Sequence, residues 1–134
     1  VTEPVRIDER DAIALHGWLL ALRGGAVGLR DDGLLKSALA RPKQHFAYGE
    51  SPDIVDMATA YTAGIVRNHP FDGNKRTGFV VGILFLELNG YRFTASEEDA
   101  AQAVLALAAG KVDEQGFSAF LHANVEREQR KKRH

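Results

Sequence analysis

The sequence predicts a compact all-α domain. Its apolar residues recur at three- and four-residue spacing, without the sustained alternation of half-buried strands. Capping residues precede several of these runs, and glycine or Asn-Gly follows them. With 134 residues, 45% of them hydrophobic, the chain has material for one well-filled core, and residues 1–126 read as a single domain.

The elements follow in order. Glu9 to Arg23 forms a first helix, with Ile13, Leu15, Trp18, Leu19 and Leu22 as its apolar mass, and Gly24 and Gly25 break it. Asp31 and Asp32 can accept hydrogen bonds from the free amides of a second, short helix with the body Leu34 to Ala40. Arg41 to Glu50, with Pro42 and Gly49, reads as irregular chain. Ser51, Pro52 and Asp53 supply a cap, a first-turn proline and an acidic charge for a third helix, whose face is Ile54, Met57, Ala58, Tyr61 and Ile65. That spacing runs on to Asn68 and His69. A fourth helix starts near Asn74, carries Thr77, Val80, Val81, Leu84, Phe85 and Leu88, and stops at Asn89 and Gly90. Ser96 to Asp99 resembles a capping box and opens an alanine-rich helix ending near Gly110. Asp113 caps a last helix bearing Phe117, Phe120, Leu121 and Val125. Residues 127–134 are charged throughout and read as a frayed basic tail, with nucleic-acid binding as the minor alternative.

Composition narrows the function classes. A net charge of -1 gives no bulk attraction to nucleic acid or to an anionic membrane, so neither is expected as a partner. The absence of cysteine removes disulfides, thiolate zinc sites and thiol nucleophiles. Phe79 to Leu88 is too short to span a bilayer and no charged leader with an apolar run opens the sequence, so a soluble cytoplasmic protein is the expectation.

The chemistry concentrates in His69, Pro70, Phe71, Asp72, Gly73, Asn74, Lys75, Arg76 and Thr77. This short polar segment joins two core-forming helices, which makes them antiparallel neighbours. Gly73 lets the backbone approach a ligand, and the helix start behind it presents free amides and a positive dipole end. Lys75 and Arg76 add two cations there, each opposing the dipole at a cost of about 0.3 to 1 kcal/mol that a bound phosphate would offset. His69 has the unperturbed range of a general base near neutral pH, and Asp72 is a hard oxygen donor suited to magnesium. Taken singly, each has a plainer reading: a helix-end histidine, a turn, surface cations, and Phe71 as a core anchor. Their occurrence together on one tethered loop points to nucleotide chemistry, in which positioning and charge neutralisation do most of the catalysis. Asn74 suits both a helix cap and a phosphate contact.

The segment resembles the Fic motif, HPFx(D/E)GNGRxxR, in its Doc-type form with lysine replacing the second glycine of GNG. The likeness extends to GLRDDGLLKSALARP at Gly28 to Pro42, AYGE from Ala47 and LFLELNGYRF from Leu84. It implies a Fic/Doc-like helical bundle with the motif loop between two central helices. It also implies ATP with Mg2+, and a protein hydroxyl as acceptor. By resemblance His69 is the base, Asp72 the metal carboxylate, and Gly73, Asn74, Lys75 and Arg76 the phosphate-contacting positions, with Arg67 a further basic position before the motif. For Doc-type toxins the acceptor is elongation factor Tu, so blocked translation and a cognate antitoxin chain are implied. Lys75 fills the space a glycine would leave open, and Phe79 stands where AMP-transferring members have a second arginine; both favour phosphoryl transfer over AMP transfer.

One departure matters. Asp72 directly follows Phe71, whereas the family pattern has a residue between them. One residue of extended chain spans about 3.3 to 3.6 Å, and a misplacement of about 1 Å can cost about 100-fold in rate. Unwinding the first turn of the next helix would restore the reach. The alternatives to a Doc-like kinase are therefore an AMP transferase and a catalytically impaired antitoxin-binding or regulatory module.

Overall fold

The computed structural model describes residues 4–23, 32–48, 53–68 and 74–128. Among these residues six helices, α1 (Glu9–Arg23), α2 (Asp32–Tyr48), α3 (Ile54–Asn68), α4 (Asn74–Leu88), α5 (Glu97–Ala108) and α6 (Glu114–Ala123), build one core, and strands β1 (Tyr91–Phe93) and β2 (Val125–Arg127) pair with each other. The expected all-α class holds.

α3 is the axis of the molecule. Val55 and every residue from Met57 to Val66 are buried, so this helix is enclosed on nearly all sides rather than along one stripe. Its start is fixed by Asp53, whose Oδ1 accepts from the amides of Val55 (2.6 Å) and Asp56 (3.2 Å). Tyr61 packs in a tilted ring contact on Phe85 of α4, centroids 4.8 Å apart, and its hydroxyl oxygen accepts from the Ile7 amide at 3.0 Å, pinning the N-terminal segment. Burial pushes the Tyr61 phenol above its ordinary value.

α4 runs antiparallel to α3, as the short connection requires. Gly82 makes the approach possible: a Cβ there would lie 2.2 Å from Thr62 Oγ1 and 3.2 Å from the Ala58 carbonyl. Thr62 Oγ1 donates to the Gly78 carbonyl at 2.8 Å, so the same threonine packs against and bonds to the partner backbone.

Pro42 does not end α2. The helix continues through it to Tyr48, where the sequence suggested irregular chain. Proline deprives the Ala38 carbonyl of its helical donor, but α3 presses on α2 at that point: a Cβ on Gly64 would meet the Ala38 oxygen at 3.1 Å. Leu35, Ala38, Leu39 and Pro42 are all buried, and this tertiary burial outweighs the local penalty.

Other expectations divide in the same way. α1 has the predicted bounds, but among its described side chains the buried ones are Ala12, His16 and Leu19, while Ile13 and Trp18 are exposed; Leu22 lies outside that description. Asp8 caps it through the Asp11 amide at 2.9 Å, and that bond holds the Asp8 carboxyl below the usual carboxylate range. Ser96 and Asp113 cap α5 and α6 as expected, accepting from Asp99 N (3.1 Å) and Gly116 N (2.8 Å). α6 is shorter than expected, because Val125 belongs to β2 and pairs with Phe93. Arg127 likewise pairs with Tyr91 instead of fraying. A run of rings, Phe79, Phe93 and Phe120, with centroids 5.5 and 6.0 Å apart, ties α4, β1 and α6 together. The glycine break after α1, Asp31, Ser51, Pro52 and residues 129–134 lie outside the described residues.

Candidate functional site

α3 ends at Asn68 and α4 begins at Asn74, so the two helices bring Arg67, Lys75 and Arg76 to one end of the bundle. His69, Phe71, Asp72 and Gly73 lie between these ends, outside the described residues. α4 is helical from Asn74 onward, so its first turn is not unwound to compensate for the short loop.

The charge at this helix start is unusual within the fold. α1, α3, α5 and α6 each carry an acidic residue in the first turn, as the macrodipole favours. α4 carries none and presents Lys75 and Arg76, both exposed. Arg67, in contrast, lies in the last turn of α3, where a cation is favourable. Arg67 therefore has the helix dipole as a structural reason for its place, whereas Lys75 and Arg76 stand against it.

The first turn of α4 is nonetheless held firmly. Thr77 is buried and its Oγ1 lies 2.9 Å from Nδ1 of buried His16 on α1. One residue further on, the Gly78 carbonyl accepts the Thr62 hydroxyl. The exposed cations thus project from a backbone anchored on two sides, which suits repeated binding of an anion in one geometry. The sequence signal did not single out His16, because a histidine in an amphipathic helix looks like any surface polar residue.

A groove of about 490 Å³ opens between this turn and the C-terminal half of α5, with Lys75 at one side, Lys111 at another, and Leu105 and Ala109 among the apolar residues lining it. That volume falls in the usual range for small-molecule sites, roughly 300 to 1,000 Å³.

Two further charged clusters involve α6. Glu114 in its first turn pairs with Arg41 of α2, and its Oε1 lies 3.9 Å from Arg67 Nη1. At the other end of α3, Asp56 Oδ1 accepts from Ser118 Oγ at 2.7 Å and lies 3.3 Å from His122 Nε2, with Asp53 3.9 Å from the same nitrogen. Asp53, Asp56 and His122 could hold a metal by their spacing. Eleven residues of helix, about 16 Å, separate Asp56 from Arg67, so this trio is not part of the motif site.

No helix among the described residues is long and apolar enough to cross a membrane. The model of the Fic/DOC family matches residues 6–86. The chain is similar to the protein kinase doc of Escherichia phage P1, 33% identical over 93 residues that cover 69% of this chain and 74% of the relative. It is also similar to the toxin Doc of Mycolicibacterium smegmatis, 43% identical over 75 residues covering 54% of this chain and 57% of the relative.

Proposed function

The chain belongs to the Fic/Doc family, and from that premise we propose that it is a Doc-like toxin that phosphorylates a protein hydroxyl with ATP. The observation that carries this reading is the first turn of α4. Two exposed cations stand there against the helix dipole on an anchored backbone, a placement that a phosphate chain offsets. The relative named as a protein kinase supports phosphoryl transfer, and so does the identity of residue 75. Lysine at that position occupies space that glycine would leave to a phosphate, which disfavours the binding mode needed for AMP transfer.

In this reading His69 accepts the proton of the acceptor hydroxyl as that oxygen attacks the γ-phosphorus. The bond from the γ-phosphorus to the bridging oxygen breaks, and ADP departs with the electron pair. Lys75, Arg76, the free amides at the start of α4 and the Gly73 backbone bind the phosphate oxygens, with Arg67 as a further cation. Asp72 supplies the carboxylate for Mg2+, which when bound neutralises phosphate charge; a hard oxygen donor beside a cationic phosphate site fits that ion. Elongation factor Tu is the proposed acceptor, which places the protein in the cytoplasm as a block to translation. A cognate antitoxin is the proposed partner, and exposed Ile13 and Trp18 on α1 offer apolar surface for a protein contact.

The test is to incubate the chain with elongation factor Tu, ATP and magnesium and to weigh the acceptor. A phosphoryl increment that disappears in His69→Ala is expected. An adenylyl increment would move the assignment to AMP transfer. A second reading has its own observation, the missing residue between Phe71 and Asp72 combined with an α4 that starts no later than Asn74. It makes the chain an impaired, antitoxin-binding module. Absence of ATP binding with rescue by one residue inserted after Phe71 would support it.

A further inference from the structure

We propose that Arg41 and Glu114 are positioning residues that keep Arg67 available to the phosphate donor. The proposal rests on the phosphotransfer reading of the motif and extends it to two residues outside that motif. Arg67 lies two positions before His69, at the end of α3. Among the described residues the neighbouring carboxylate is Glu114 of α6, and a carboxylate beside a substrate-binding cation ordinarily cancels its charge and takes its donors. Here Glu114 is already engaged. Arg41 donates to its Oε1 in close contact, while Arg67 stands 3.9 Å from the same oxygen, beyond hydrogen-bond distance.

The arrangement has two consequences. Two guanidinium groups and one carboxylate leave the trio with one net positive charge. Glu114 also attracts Arg67 without occupying its N–H groups, so the planar fork can address phosphate oxygens bidentately. Each member comes from a different helix, α2, α3 or α6, and all three side chains are partly exposed, which leaves Arg67 open to solvent. If Arg41 is lost, Glu114 and Arg67 close into a pair and the surplus charge disappears. Arg41 thus supports nucleotide binding without touching the nucleotide.

A binding cycle on the full chain tests this. Affinity for a nonhydrolysable ATP analogue with magnesium is measured by titration calorimetry in wild type, Arg41→Ala, Arg41→Lys, Glu114→Gln and the Arg41→Ala/Glu114→Gln pair. Circular dichroism establishes that each variant is folded. Arg41→Ala should weaken binding about fivefold, a charge effect of the size expected for partly exposed ion pairs. Arg41→Lys, which keeps the charge, should recover most of that loss and serves if the alanine variant does not fold. In the Glu114→Gln background the Arg41 substitution should change affinity less than twofold. Equal loss with and without Glu114 would overturn the proposal, because Arg41 would then act on the nucleotide or on the fold directly. Wild-type affinity in Arg41→Ala would overturn it as well. A wild-type chain that does not bind the analogue would remove the phosphotransfer reading and this proposal together, whereas a bound wild type with an additive cycle removes only the latter.

Discussion

The two ends of the α3–α6 pair handle charge in opposite ways. At the α3 N-terminus, Asp53 and Asp56 are satisfied within the protein by helix amides, Ser118 and His122. Negative charge there also suits the macrodipole, so every group has a structural reason to be present. At the other end Arg41 and Arg67 gather near Glu114, while Lys75 and Arg76 stand at the start of α4 against its dipole. The difference separates charges that meet partners within the protein from the cations of the proposed phosphate site. In the proposed reading, the cations that the fold does not require are the ones a phosphate chain neutralises.

Four substitutions break or sharpen this contrast. Gly82→Ala should have the largest effect, because its Cβ would collide with Thr62 Oγ1 and force α3 from α4; a loss of about 3 kcal/mol is expected by chemical denaturation, with both ends of the pair disrupted. Arg76→Ala should lower kcat/KM for ATP about 100-fold, as removal of a preorganised charge contact does, while the thermal midpoint stays level or rises because a charge opposing the dipole is gone. Lower activity together with a lower midpoint would mean that Arg76 is structural, and the contrast would fail. Asp56→Ala should show the reverse pattern, costing about 1 kcal/mol through the lost Ser118 and His122 contacts with activity per folded molecule unchanged. The smallest effect is expected at Asp8. Its carboxyl sits below the ordinary value of 3.8 in the folded protein, so its contribution is present above that pH and is lost as pH falls through the lowered folded value. Asp8→Asn keeps a cap without the titration and should flatten the acid limb of the stability curve, as read from unfolding midpoints across that range.

Local chemistry decided which features were legible beforehand. Glu9 to Arg23, the Ser96 and Asp113 caps and the start at Asn74 were readable because caps and periodicity act within a few residues. Pro42 was misread since the contact that keeps α2 going comes from Gly64, on another helix. β1 and β2 were missed because three-residue strands show no measurable alternation and their bonds join Tyr91 to Arg127. At the site, the cations of the motif were legible as residue types. The Arg41 and Glu114 pairing, across 73 positions, was not, since nothing in the local sequence of either residue announces the other.

The small sheet has a topological effect. Pairing Tyr91 with Arg127 brings both ends of the 91–127 segment side by side, which makes α5 and α6 a closed loop hung on the end of α4. Val104, Leu107, Phe117 and Leu121 of that segment lie in the common core, so the sheet clamps a packed helix pair at both of its ends. The α5 wall of the groove beside Lys75 thus belongs to a segment tied at both ends, while its other wall is the start of α4.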